Sequence, residues 1–318
     1  MKFIGLSKND RMKSDPDIVA ADESLSPHFQ NLIHSAKQQI ETGQIDAAID
    51  ILIEVLGQYP SHVEANAIIG ACLMADSSPD LAEGFLYTAV RLSNWTDIIS
   101  VGNLVECLRL NDDSDLAIQV AMRGLSSFEN SIDPSGMIGY ILGNIYAAKL
   151  DFRNASDWYL ASALQQKSNI EAWLKASTVL FPSVDFQFAE NVLIEGIRYN
   201  PGSDRLLFEM GLVLHQTTRV LEAIPFYLEA VRINPELQDA LPTLATALHA
   251  VGRFDEALEA YRKADTLNRN NVVMLANYAI LLKSMGHAQQ SAELIARAKV
   301  LDPQNADVLK AELFTIAR

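Results

Sequence analysis

The chain has 318 residues, 49% hydrophobic and 20% charged, which is ample apolar material for a large buried core and excludes wholesale disorder. A net charge of −15 and a pI near 4.8 argue against nucleic-acid and anionic-membrane partners, because an acidic surface repels phosphate. Two cysteines, Cys72 and Cys107, supply neither a disulfide framework nor a four-ligand zinc site.

Residues 1–27 are expected to form a flexible N-terminal arm. They hold Asp15-Pro16-Asp17, Ser24, Ser26 and Pro27 with little apolar periodicity. Lys2, Lys8, Arg11 and Lys13 against Asp10 give residues 1–13 a local charge of +3. The opening apolar run is four residues long, short of the roughly 7–15 of a signal-peptide core. Nor does any stretch approach the roughly 18 uncharged apolar residues that suggest a membrane span. These features predict a soluble, reduced, cytoplasmic protein without membrane insertion.

From Phe29 onward, punctuating residues recur at one interval. Pro201 and Pro235 are 34 residues apart, as are Gly252 and Gly286, and Ala189, Ala223 and Ala257 keep the same step. A fixed period of this size marks stacked supersecondary repeats. Taken in chain order, the first repeat starts near Phe29 and shows Gly43, Ala48 and Pro60. The second and third, from Val63 and Ile98, keep only Gly70, Ala82 and Ala89, then Ala117. The next interval stretches to 38 residues, with SSFENSIDPSG filling an irregular loop near 126–136. The fourth repeat, from Gly136, carries Gly143, Tyr146, Leu150-Asp151-Phe152 and Ala155. In the fifth, from Ile170, Trp173 and Pro201 stand out. The sixth, from Asp204, has Gly211, Ala223, Tyr227, Ala230 and Pro235. In the seventh, from Gln238, Leu241, Leu244, Ala245 and Leu248 form one helical stripe. Gly252 breaks that helix, and Phe254, Ala257, Tyr261 and Ala264 form a second stripe. The eighth starts near Val272, and ADVLKAELFTI at 306–316 reads as a lone terminal helix. Its Leu309, Leu313, Phe314 and Ile316 are more apolar than one covered face needs.

These residues resemble the tetratricopeptide repeat, over about residues 29–316. The resemblance implies an all-α fold, an α-solenoid: a right-handed superhelix of about eight repeats over 28–305, closed by a C-terminal capping helix at 306–318. An isolated helix pair cannot bury its apolar face, but each neighbour covers the face of the last. A proline after the second helix, as at Pro60, Pro201, Pro235 and Pro303, discourages helix continuation and fixes the turn into the next repeat.

The resemblance also implies where a partner binds. In that family the concave face is lined by the first helix of each repeat, chiefly at positions two, five, nine and twelve. By register the central repeats supply Met137, Tyr140 and Asn144, then Leu174 and Thr178. Arg205, Phe208, Leu212 and His215 follow, then Asp239, Thr246 and His249. The row is apolar for a surface and suits uptake of a peptide or helix from another protein. A one-residue shift of register would instead place these side chains in the core. His215 and His249, at position twelve of adjacent repeats, are expected to lie near each other and to hydrogen-bond a ligand. The carboxylate clamp of chaperone-tail-binding members is absent: position five holds Ile33, Ala67, Gly102 and Tyr140, and only Asn144 fits at position nine. The asparagine ladder of glycosyltransferase-associated arrays keeps only Asn103 and Asn277 at position six, where Glu209 and Lys175 also fall.

No catalytic or cofactor motif emerges. Gly136-Met-Ile-Gly139 lies in a predicted repeat helix with no preceding strand, so it is no phosphate loop. The six histidines are dispersed and no metal site is expected. Cys72 and Cys107 share position ten, an apolar column with Ile145, Val179, Val213 and Leu281, and read as structural thiols. Trp158 and Trp173 are expected between helices, with Trp95 less constrained in a turn. The reading is therefore a non-enzymatic protein–protein interaction scaffold or adaptor binding a partner segment in its groove. The alternatives are a regulatory or substrate-recruiting subunit of a glycosyltransferase or other transferase system, and self-assembly into a homo-oligomer.

Overall fold

A computed structural model describes residues 26–127, 133, 136–183, 185–237 and 239–316. Of the expected arm, residues 1–25 lie outside the described residues, while Pro27 already opens the first helix, where its missing N–H costs nothing. The described residues form seventeen α-helices and no strand, an all-α solenoid of helical hairpins. Among the described residues no helix is long and apolar enough to cross a membrane.

The chain divides into two compact units, residues 1–166 and 167–318. The first holds four hairpins: α1 (Pro27–Glu41) with α2 (Ile45–Gln58), α3 (Val63–Ala75) with α4 (Pro79–Leu92), α5 (Ile98–Leu110) with α6 (Ser114–Ser126), and α7 (Met137–Ala148) with α8 (Phe152–Gln165). The second holds α9 (Ile170–Thr178) with α10 (Phe186–Tyr199), α11 (Asp204–Gln216) with α12 (Val220–Ile233), α13 (Ala240–Ala250) with α14 (Phe254–Leu267), α15 (Val272–Ser284) with α16 (Ala288–Leu301), and the single α17 (Ala306–Ile316). Helix starts coincide with the repeat starts read from the 34-residue period, to within two residues.

Local chemistry sets each boundary. First helices open on side chains that accept an otherwise orphan backbone N–H: His62, Asp97, Asn169, Ser203 and Asn271. Each described turn inside a hairpin passes through one left-handed residue. Glycine takes that position at Gly43, Gly252 and Gly286, but Ser77, Asp112, Leu150 and Thr218 hold the same conformation elsewhere. The turn was therefore legible only where glycine marked it.

Close helix approach depends on small residues eight positions into the first helix. A Cβ at Gly143 would collide with the Tyr159 ring, one at Gly211 with the Tyr227 ring, and one at Gly70 with Leu86. Within each unit, neighbouring first helices also touch: α3 with α5, α5 with α7, α9 with α11, and α13 with α15. They build a first-helix face, with the second helices behind it.

Several expectations change. Trp95 is not loosely held. It is 5% exposed, its φ is +66°, and it belongs to the core of the first unit. The guanidinium of Arg123 lies 4.3 Å from its ring centroid. Gly136 is not inside a helix but is the left-handed N-cap of α7. Most of the irregular loop lies outside the described residues. Its Asp133 is buried and accepts a hydrogen bond from the Ile138 N–H at 2.6 Å, so this loop caps α7 from a distance. In the fifth repeat α9 ends at Thr178, and a 3-10 turn over Phe181–Ser183 replaces the rest of the first helix. Pro182 explains this, since it cannot donate to the helical ladder. Trp173 is fully buried and Trp158 packs against the first unit's core.

Candidate functional site

The geometry of the first-helix face follows from a tyrosine on the second helix. Tyr159, Tyr227 and Tyr261 share one register position, and Tyr159 and Tyr227 wedge against Gly143 and Gly211 of their own first helices. Their rings are buried, and each hydroxyl reaches toward the first-helix face. Tyr159 donates to Asn144 Oδ1 at 2.8 Å, and the Tyr261 and Thr246 hydroxyls bond at 2.9 Å. Both partners are the position-nine residue, fifteen before the tyrosine. In the sixth repeat that residue is Leu212, which offers no acceptor. The Tyr227 hydroxyl turns instead to His215 Nδ1, at a long 3.4 Å.

Burial pushes the Tyr261 phenol up to about 12, partly offset by its bond to Thr246. The Tyr227 phenol is raised further, by burial first and then by the Glu209 charge. Tyr227 and Tyr261 are neutral hydrogen-bonding groups at any physiological pH, so they organise the face and do no acid–base chemistry on it.

The sequence-predicted residues fall in two groups. In the first unit, Met137 is half-buried and packs over Gly102, where a Cβ would meet its Sδ. Tyr140 is half-buried against Tyr159, with ring centroids 5.5 Å apart, and Asn144 is engaged by the same tyrosine. In the second unit Leu174 is 5% exposed, so its side chain belongs to the core and not to the face. Thr178 donates to the Leu174 carbonyl at 2.8 Å. Arg205 is exposed and pairs with Glu171 at 2.9 Å. Phe208 and Leu212 are half-buried, with Phe208 against the Tyr227 ring.

Each of the two histidines meets an aromatic ring of its own repeat. His215 turns to Tyr227, and His249 packs on Phe254 with ring centroids 5.7 Å apart. Each is drawn to its own repeat's second helix, and burial lowers the His249 pKa. Thr246 is held by Tyr261, as above. Asp239 is exposed, is the left-handed N-cap of α13, and accepts a hydrogen bond from Asn271 at 3.4 Å. It borders a cavity of about 330 Å³, lined also by Leu237, Leu241, Pro242, Leu267 and Asn268. A second cavity of about 590 Å³ lies along the second-helix side, between Leu221, Pro225, Leu228 and Arg253.

Sequence reasoning missed the tyrosine hydroxyls and Glu209. A tyrosine recurring fifteen residues after position nine was the available signal for the first. Glu209 is half-buried, burial raises its pKa, and Arg205 partly offsets this. Its Oε2 is buried with no hydrogen-bond partner. Both cysteines are buried, and burial together with Glu83 pushes the Cys107 thiol up to about 12. Its S–H points to the Pro79 carbonyl at 3.1 Å. Such a thiol is no nucleophile.

Hairpins of this register, with a small residue facing a second-helix aromatic, define a helical-repeat protein. Models of the tetratricopeptide repeat match residues 36–94, 204–237 and 240–271. The chain carries tetratricopeptide repeats over these residues, and repeats of this kind build protein-interaction scaffolds. No curated protein matches it significantly in sequence. Among solved structures it is similar to the C-terminal part of a tetratricopeptide repeat-containing protein from Cytophaga hutchinsonii, with 11% identity and a TM-score of 0.54, over 88% of this chain and 98% of that one. Pseudomonas aeruginosa pilF gives 16% identity and a TM-score of 0.52, over 70% of this chain and 98% of that one. YrrB, a tetratricopeptide repeat protein with an unusual peptide-binding site, gives 16% identity and a TM-score of 0.50, over 61% of this chain and 97% of that one. These likenesses establish the fold.

Proposed function

We propose that the chain binds an extended or helical segment of another protein on the first-helix face of its second unit. The observation that carries this reading is the half-buried row of Phe208, Leu212, His215, Thr246 and His249 on consecutive first helices. Apolar and hydrogen-bonding side chains alternate there, which suits a partner that buries side chains and still needs orientation. Phe208 is braced by Tyr227 and Thr246 by Tyr261. Both are thus held in place before binding, which lowers the ordering cost of association. YrrB carries a peptide-binding site on the same fold, which supports peptide capture as a use this architecture permits.

The test is affinity capture from native lysate with the intact chain and with a Phe208→Ala/Leu212→Ala variant, partners being identified by mass spectrometry. We expect the variant to keep its helical circular dichroism and to lose the partner. Retention of the same partner by both proteins would remove the site from this face.

A further inference from the structure

Glu209 gives the face a chemical preference. It is the sole acid at position six among the eight repeats, and it lies on α11 one turn from Arg205 on one side and from Leu212 on the other. Its Oε2 is buried, and Glu209 makes no hydrogen bond or ion pair among the described residues. The neighbours that could compensate it are committed elsewhere. Arg205 pairs with Glu171 at 2.9 Å, and the Tyr227 hydroxyl is directed to His215. The Arg205 charge offsets only part of the cost of burying Glu209, and a carboxylate oxygen buried without a donor destabilises the fold, since each buried acceptor ordinarily finds one. Such a cost persists where the group has a partner outside the chain. Phe208 and Leu212 border it, and an apolar rim of this kind accommodates the methylene stem of a long cationic side chain.

We propose that Glu209 is the acceptor for a lysine or arginine of the partner segment, flanked in that segment by apolar residues that rest on Phe208 and Leu212. This rests on the reading of the first-helix face as the binding surface and names the chemistry it selects. An ammonium or guanidinium supplies the charge-assisted bond that the Glu209 carboxylate lacks within the chain. An acidic partner is rejected by like-charge repulsion at the same point.

The test uses labelled full-length chain on immobilised nine-residue peptides of leucine, phenylalanine and alanine with one central lysine. Matched sets carry norleucine or glutamate in place of that lysine. Wild type is expected to bind the lysine set at least about tenfold more tightly than the norleucine set, and the glutamate set least. Glu209→Gln is expected to lose the lysine preference while binding norleucine peptides as wild type does, with an unchanged circular dichroism spectrum. Equal binding of lysine and norleucine peptides by wild type, abolished by Phe208→Ala/Leu212→Ala, would overturn the cation preference and leave the face as the binding surface. A lysine preference that survives Glu209→Gln would place the cation elsewhere and overturn the assignment. No binding to any set would overturn both readings.

Discussion

The two units use one hairpin plan and spend their sequence variation differently. In the first unit the face positions of the second and third repeats hold Ala67, Ala71 and Gly102, and Met137 covers Gly102. Its bulk is directed inward: Trp95 fills a turn, Leu86 closes on Gly70, and Val101 closes on Gly124. In the second unit Phe208, Leu212, His215 and His249 remain on the face. Charge separates the units as well. Residues 1–166 carry 10 basic against 22 acidic side chains, net −12, whereas residues 167–318 carry 15 against 18, net −3. A nearly neutral unit with apolar face residues suits contact, and a strongly acidic one suits solubility. Degenerate repeats are thus not weaker copies: their departures are packing solutions, while the regular repeats keep freedom for recognition.

The inward packing of the first unit depends most on Trp95. If its ring holds the first unit together, Trp95→Ala costs about 3–5 kcal/mol, read as a fall in the denaturant midpoint. A cost near that of a surface substitution would remove Trp95 from the core. The next test addresses the wedge in the second unit. Gly211→Ala forces a Cβ into the Tyr227 ring and is expected to cost about 1–3 kcal/mol. Gly57→Ala, in α2 with open space around it, should be neutral or stabilising by thermal melting, since alanine favours helix.

A smaller gain is expected in the turns. Leu150 is exposed with φ +59°, so Leu150→Gly should stabilise the chain by about 1 kcal/mol, seen as a higher Tm. The smallest effect concerns Glu209. Its folded pKa is raised by burial above the usual 4.5, so protonation favours the folded state, most fully below that usual value. The wild-type chain should therefore melt below Glu209→Gln at neutral pH, with the gap closing as pH falls through the folded-state pKa. A gap independent of pH would show that Glu209 is solvated.

Much of this was legible in the residues. The 34-residue period placed nearly every first helix because Gly, Ala and Pro punctuate it for physical reasons: close approach, turn and stop. The turns at Ser77, Asp112, Leu150 and Thr218 were not legible, because a left-handed residue without glycine leaves no compositional mark. Trp95 was misjudged for the same reason, since its backbone sits in a turn while its ring lies in the core. At the site, register gave the row of positions but not where side chains turn. Leu174 is buried in the core, and the two histidines each meet an aromatic of their own repeat. Glu209 was visible as an odd residue at position six, but its lack of a partner is a fact of three dimensions.

The central claim is that recognition belongs to the first-helix face of the second unit and not to the second helices behind it. A photo-crosslinking amino acid placed at Leu212, and separately at the exposed Leu221 on α12, compares the two sides in native lysate. The account expects a discrete adduct from position 212 and none from 221. An adduct from 221 alone would contradict it and move the binding surface to the cavity beside Pro225.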